Sequence, residues 1–178
     1  ANKMDTERAS LEGSIADLKE KFKTDVVPVT IPMGEGPAYK GVIDVLSGKA
    51  YPLPAAHDQK EAAAAVPPEY AEALTAARAR LHEAAAEGDD ELMEKYLGEG
   101  ELSPEDTVKG LREAFAANRI VPIFAGSALR GSGLSALIDF VAEIAPNPSW
   151  SVPEVLVQSD GTERKHPYDA TGLPTALV

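Results

Sequence analysis

Two short runs hold the residues best suited to chemistry. Asn2, Lys3, Met4 and Asp5 place an amide, a long cationic side chain and a carboxylate within four positions. A carboxylate such as Asp5 can accept hydrogen bonds from two adjacent donors, and guanine presents such a pair in its ring imino N–H and its exocyclic amino group. Adenine offers neither in that place, so a site built on this acceptor rejects it, because the buried carboxylate would be left unpaired. Far along the chain, Gly126, Ser127, Ala128 and Leu129 follow a nearly continuous apolar stretch, Ile120 to Ala125, and precede an amphipathic one that starts at Gly133. That order reads as strand, short turn and helix, the arrangement in which ligands sit at the carboxyl ends of sheet strands.

The first run matches N-K-x-D, the guanine-specificity element of the GTPase superfamily. The second resembles the S-A element that the same superfamily places after a sheet strand, where backbone N–H groups reach the base oxygen. The resemblance implies a guanine site made of Asn2, Lys3, Asp5, Ser127, Ala128 and Leu129. Asn2 would contact the base and brace neighbouring loops, and the stem of Lys3 would lie along the base plane. Taken alone, the tetrapeptide also fits polar residues gathered at a helix start, and a chance match in a chain this long is on the order of a few per cent. Taken alone, the second run also fits an ordinary strand-to-helix turn.

Elements must bring the two runs together. Glu7 to Phe22 reads as an amphipathic helix, with Leu11, Ile15, Leu18 and Phe22 on one face and Lys19, Lys21 and Lys23 at its C-terminal end. Val26 to Ile31 is β-branched and interrupted by Pro28, as suits an edge strand. With the hairpin of Ala38 to Val45 and Ala50 to Leu53, it predicts a small antiparallel sheet. Pro67 and Pro68 introduce a helix carrying Tyr70, Leu74, Ala77, Leu81 and Ala84 that stops at Gly88. Asp89 or Asp90 caps a second helix ending at Gly98, and Ser103, Pro104, Glu105 and Asp106 open a third. Ile120 to Ala125 reads as a strand of a parallel sheet whose neighbours lie elsewhere, followed by a helix with Leu134, Leu137, Ile138, Val141 and Ile144 on its inner face. Pro146, Pro148 and Pro153 form a stiff linker, and a polar, turn-rich tail ends in a strand beginning at Thr175. His57, His82 and His166 are scattered and read as surface residues.

With the two guanine elements more than a hundred residues apart, the chain specifically resembles the elongation factor G family, which fills that gap with an inserted subdomain. The intervening text carries the likeness: Val27-Pro28-Val29 through Ile31-Pro32, Glu35-Gly36, Lys40-Gly41-Val42-Ile43-Asp44 with Lys49-Ala50-Tyr51, and Asp89-Asp90-Glu91-Leu92-Met93-Glu94-Lys95-Tyr96-Leu97. Nearly the whole chain is covered. Thr6 stands where the family carries arginine, and Leu129 where phenylalanine is commoner; neither touches the base-contacting chemistry. The implied fold class is an α+β fragment, a partial P-loop GTPase-type α/β sheet with an inserted subdomain of small antiparallel sheet plus helices. Residues 1–24 and 119–147 would be the C-terminal part of the GTPase domain, 25–118 the insert, and 148–178 a linker and the start of a β-barrel domain.

No G-x-x-x-x-G-K-[ST] loop occurs, so the residues that cradle phosphates and bind Mg2+ would lie upstream in a longer parent. The resemblance implies that this parent binds GTP and GDP and hydrolyses GTP on the ribosome, in translocation or ribosome recycling. A paralogue such as a ribosome-protection protein shares the core. The fragment itself would hold no catalytic residue and no metal. A different reading is a non-hydrolytic module that docks on the large-subunit stalk protein through the helices between Pro67 and Asn118. Because that stalk protein is acidic, charge does not favour the pairing.

Composition narrows the choice. Asp and Glu outnumber Lys and Arg by 29 to 17, a net charge of −12, so the broad basic face needed for DNA or RNA phosphates is missing. With no cysteine, there is neither a disulfide nor a thiolate metal site. Nothing approaches the roughly 18 apolar residues of a membrane span, nor a signal peptide, and the expected location is cytoplasmic.

Overall fold

A computed structural model describes residues 1–54, 61–147, 154–157 and 161–166. The chain forms two units, Ala1–Ala145 and Pro146–Val178. In the first, α1 (Leu11–Phe22), β1 (Asp25–Pro28), β2 (Thr30–Pro32), β3 (Gly41–Asp44) and β4 (Lys49–Pro52) precede three helices, α2 (Ala71–Ala86), α3 (Asp90–Glu99) and α4 (Pro104–Ala116); β5 (Ile120–Ile123) and α5 (Leu134–Glu143) follow. The second unit holds an antiparallel hairpin of β6 (Glu154–Val157) and β7 (Glu163–His166), a pairing the tail's polar composition does not announce. The expected strand from Thr175, together with His57 and the side chain of His166, lies outside the described residues.

The helix ends follow local chemistry. Ser10 caps α1, accepting from Gly13 N at 3.1 Å. The expected start at Glu7 is corrected to Leu11, because Arg8 has φ +66°, a left-handed conformation no helix can include. Asp89 Oδ1 accepts from the backbone of Glu91 and Leu92 at 3.0 and 3.2 Å, and Ser103 Oγ accepts from Asp106 N at 3.1 Å. The second of the three helices, α3, runs past Gly98 and stops at Gly100, whose φ of +78° provides the left-handed cap.

The stretch expected to form one edge strand is two. β1 pairs in parallel with β5, from Asp25 opposite Ile120 to Pro28 opposite Ile123, whereas β2 joins the antiparallel sheet of order β2-β3-β4. Val29 is the hinge between them: its N–H donates to Ile123 O, and its carbonyl accepts from Val45 N, both at 2.9 Å. Thus β5 has a sheet neighbour inside this chain, which corrects the expectation that all its partners lie elsewhere. Thr30, fully buried, extends the connection, its hydroxyl donating to Ala125 O at 3.1 Å and accepting from Ala125 N at 2.7 Å.

The core runs continuously from Val27, Val29, Val42 and Ile43 in the strands to Leu81, Leu92 and Leu111 among the helices. On α5 the buried residues are Ala136 and Phe140, with Ile144 just beyond its end; Leu134, Leu137, Ile138 and Val141 are exposed. This corrects the expected inner face for all but Ile144. Both stripes of the helix are apolar, so periodicity does not choose between them. Aromatic packing does, because the Phe140 ring meets Phe124 and Phe115 edge to face at 5.2 and 5.9 Å. Phe22, likewise expected inside, is 68% exposed at the end of α1. No described helix is long and apolar enough to cross a membrane.

Candidate base-recognition site

The N-terminal residues run beside the continuation of β5. The Ala1 amino group donates to Phe124 O at 2.6 Å, Gly126 N donates to Ala1 O at 3.0 Å, and Met4 N donates to Gly126 O at 3.0 Å. Because Ala125 turns its own backbone groups toward Thr30, the strand's other edge is left to Ala1. Asn2 to Asp5 therefore emerge next to the turn that begins at Gly126. One hydrogen bond ties the two runs directly: Asn2 Oδ1 accepts from Ala128 N at 3.0 Å while also accepting from Lys3 N at 2.7 Å.

Each side chain has a distinct setting. Lys3 is exposed and held at φ +63°, in a turn closed by Thr6, whose N–H and hydroxyl both donate to Lys3 O, at 3.0 and 2.8 Å. Such a conformation costs a non-glycine residue about 1 kcal/mol or more, and Met4, buried beneath it, anchors the turn. Asp5 is half-buried, and its carboxylate makes no hydrogen bond or ion pair among the described residues, which leaves both oxygens able to accept. In the second run, Ser127 N donates to Ser132 O at 3.0 Å, and the Ala128 N–H is held by Asn2. Leu129 is 76% exposed, and its N–H has no partner among the described residues, so its amide is free to donate.

The loop from Gly126 to Gly133 closes on itself through the Ser127–Ser132 bridge. A Cβ on Gly126 would stand 2.7 Å from Ser132 O, and one on Gly133, at φ +81°, would stand 2.6 Å from Ala125 O. Only glycine fits at either place. Gly133 also precedes α5 and has no side chain to cap it; the Glu61 carboxylate does so instead, accepting from Gly133 N at 2.6 Å and Ser135 N at 3.0 Å. Tyr39 OH lies 2.9 Å from Ser132 Oγ, both groups buried. Its phenol is pushed up to about 12, mainly by burial, with the charges of Glu61 and Asp5 adding to the shift against the Ser132 hydrogen bond. The sequence points to none of Tyr39, Glu61 and Ser132, since each acts through a long-range contact.

A cleft of about 910 Å³ runs along Pro122 to Gly126, lined by Asn2, Ser127 and Ala128 at one end and by Leu18, Phe22 and Leu137 along its apolar sides. Lys3 and Asp5 are not part of its wall, so a base held by Asp5 would sit at the mouth rather than in the depth. A second cleft, of about 670 Å³, lies among α2, α4 and α5 and contains His82. His82 is not a surface residue as expected. It is half-buried, edge-on to Tyr96, and its Nδ1 accepts from Leu102 N at 3.4 Å. Burial, helped by the neighbouring Arg78 charge, holds its pKa below the ordinary histidine value.

A parallel strand pair that ends in a tight turn at the N-terminus of a helix, with an antiparallel sheet and three helices inserted between its strands, is a partial GTPase-type α/β sheet with an inserted subdomain. No protein-family model matches the chain. Among curated proteins it is 35% identical over 162 residues to "Elongation factor G-like protein" of Thermotoga maritima, covering 91% of this chain and 23% of that protein. It is 37% identical over 178 residues to "Elongation factor G 2" of Desulfotalea psychrophila, covering 99% of this chain and 26% of that protein. A crystal structure of a Thermus thermophilus protein is similar with a TM-score of 0.70 and 31% identity, over 88% of this chain and 24% of that one. Over most of its length the chain is thus homologous to a stretch of proteins named elongation factor G or G-like. It spans about a quarter of the length of the curated relatives it matches.

Proposed function

We propose that this chain is the guanine-recognition half of a ribosome-associated translational GTPase. The observation that carries the reading is the Asn2 Oδ1 to Ala128 N hydrogen bond, which draws the two guanine-type runs into one site across the length of the first unit. Asp5 accepts from the imino and amino groups of guanine, and the half-buried setting with both oxygens available supports that role. Lys3 lays its stem along the base plane, Asn2 braces the turn, and Ser127 and Ala128 shape the loop that aims the Leu129 N–H at the base oxygen. An adenine in the same place would leave the carboxylate facing a ring nitrogen without a proton, a repulsive contact.

GTP and GDP are the ligands of the longer parent. Its phosphates and Mg2+ would be held by groups outside this chain, and hydrolysis by positioned charge would occur there. What this segment contributes is base selection and, through the tightness of that grip, the residence time of the nucleotide. The ribosome would be the parent's partner and the cytoplasm its location, in keeping with the likeness to proteins named elongation factor G.

An intact mass and peptide map of the native polypeptide tests the reading. The expected result is a protein much larger than 18.8 kDa with a G-x-x-x-x-G-K-[ST] peptide ahead of Ala1. A native protein no larger than this chain excludes GTP hydrolysis and leaves only a binding role.

A further inference from the structure

The turn from Glu35 to Tyr39 touches both halves of the base site. At one end Gly36 N donates to Met4 O at 2.8 Å, directly beneath the Asn2 to Asp5 turn, and the Glu35 carboxylate accepts from Leu11 N at 2.7 Å, holding the start of α1. At the other end Tyr39 OH binds Ser132 Oγ inside the Gly126 to Gly133 loop. Glu61, from the same inserted stretch between β4 and α2, fixes the far end of that loop through Gly133 N and Ser135 N. The two groups that must meet neighbouring positions along one edge of the base, the Asp5 carboxylate and the Leu129 amide, are thus spaced by contacts that come from the insert.

From this juxtaposition we infer that Tyr39 and Glu61 are positioning residues of the base site, through which the inserted subdomain sets nucleotide affinity. The inference rests on the guanine-recognition reading above. Its physical basis is preorganisation. A site whose donors and acceptors are already spaced spends none of its binding free energy on ordering them, and loosening the loop returns that cost to the ligand. Ser132 is buried, so loss of the Tyr39 hydroxyl leaves it without this partner, and the loop relieves the loss by shifting toward water. Glu61 caps α5 with charge-assisted bonds, the stronger kind. Because it reaches into the loop from another part of the chain, a rearrangement of the insert would be felt directly at the base.

Nucleotide affinity of the full-length parent, measured with fluorescent GDP at a temperature where every variant is folded, tests this. Tyr39→Phe keeps the buried ring and removes only the hydroxyl, and the expected result is a GDP dissociation constant raised about 3- to 10-fold, mainly through faster release. Glu61→Ala is expected to raise it at least as much, and Glu61→Gln, which keeps one acceptor, by less. A residue with a purely structural role lowers the thermal midpoint but leaves GDP affinity of the folded protein unchanged. Wild-type affinity in both Tyr39→Phe and Glu61→Gln therefore overturns the inference, and these two variants decide it even where Glu61→Ala does not fold. Asp5→Asn in the same assay separates the two ideas. Wild-type GDP binding there defeats the guanine reading itself, whereas weakened binding there with unaffected Tyr39→Phe and Glu61→Gln defeats only the positioning role.

Discussion

Replacing Asp5 by asparagine in the full-length parent is expected to lower GTP affinity on the order of 10²- to 10⁴-fold and to improve binding of the xanthine nucleotide. The reasoning is local. The carboxylate offers two acceptors to two donors, and a hydrogen bond involving a charged group contributes about 1.5 to 3 kcal/mol. Asparagine keeps one acceptor and turns the other into a donor, which now faces the guanine amino group. Xanthine carries a carbonyl there, so the same change that breaks the guanine contact creates a complementary one. Competition of GTP and xanthosine triphosphate for the variant measures both effects at once, and unchanged GTP affinity removes Asp5 from the site. Backbone geometry strengthens the expectation, because Thr6 and the buried Met4 hold the turn without using the Asp5 side chain.

Gly110→Ala should destabilise the first unit by about 2 to 3 kcal/mol, although helix propensity alone argues for a gain of about 1 kcal/mol. Gly110 lies in α4 where it crosses α2. An added Cβ would stand 2.1 Å from Ala85 O and 3.0 Å from Leu92 Cδ1, and the backbone oxygen cannot move without shifting the last turn of α2. Ala84, Ala85 and Ala86 are buried against the same contact, so small side chains on α2 and a missing one on α4 set the distance between the helices. Urea unfolding of this chain and of the variant gives the difference. A higher midpoint in the variant would mean that the two helices do not approach as closely as described.

What could be read from the sequence was chemistry confined to a few consecutive residues. The caps at Asp89 and Ser103 and the two runs proposed for base recognition each need only neighbours in the chain, so residue type and spacing suffice to single them out. The splitting of Val26 to Ile31 into β1 and β2 depends on β5, far away in sequence, and nothing in the stretch itself says that Pro28 ends one sheet and Thr30 begins another. Pro28 does agree with its setting, since its missing N–H suits an edge strand and β1 pairs only with β5 among the described residues. The inner face of α5 was hidden for a related reason. Leu134, Leu137, Ile138 and Val141 make as good an apolar stripe as Ala136, Phe140 and Ile144, and only the position of Phe124 selects the second.

The same limit applies at the site. Asn2, Lys3, Asp5 and the Ser127-Ala128 pair were visible because their types and order form a motif, but which backbone amide is available could not be. Asn2 occupies the Ala128 N–H and Ser132 occupies that of Ser127, a division of labour that depends on the closed loop. Tyr39 and Glu61 had no signal at all, being one tyrosine and one acid among many, and only their partners Ser132, Gly133 and Ser135 give them meaning. His82 misled in the opposite direction, because an isolated histidine in a polar helix gives no hint that Leu102 N and Tyr96 enclose it.

Base selection itself is tested most directly by competition of GDP, inosine diphosphate and adenosine diphosphate for the nucleotide site of the full-length parent. Inosine lacks only the exocyclic amino group, so with Asp5 as the double acceptor its diphosphate should bind about 10- to 100-fold more weakly than GDP, and the adenine nucleotide more weakly still. Equal competition by all three would show that the phosphates alone hold the nucleotide and that Asp5 and Leu129 do not meet the base.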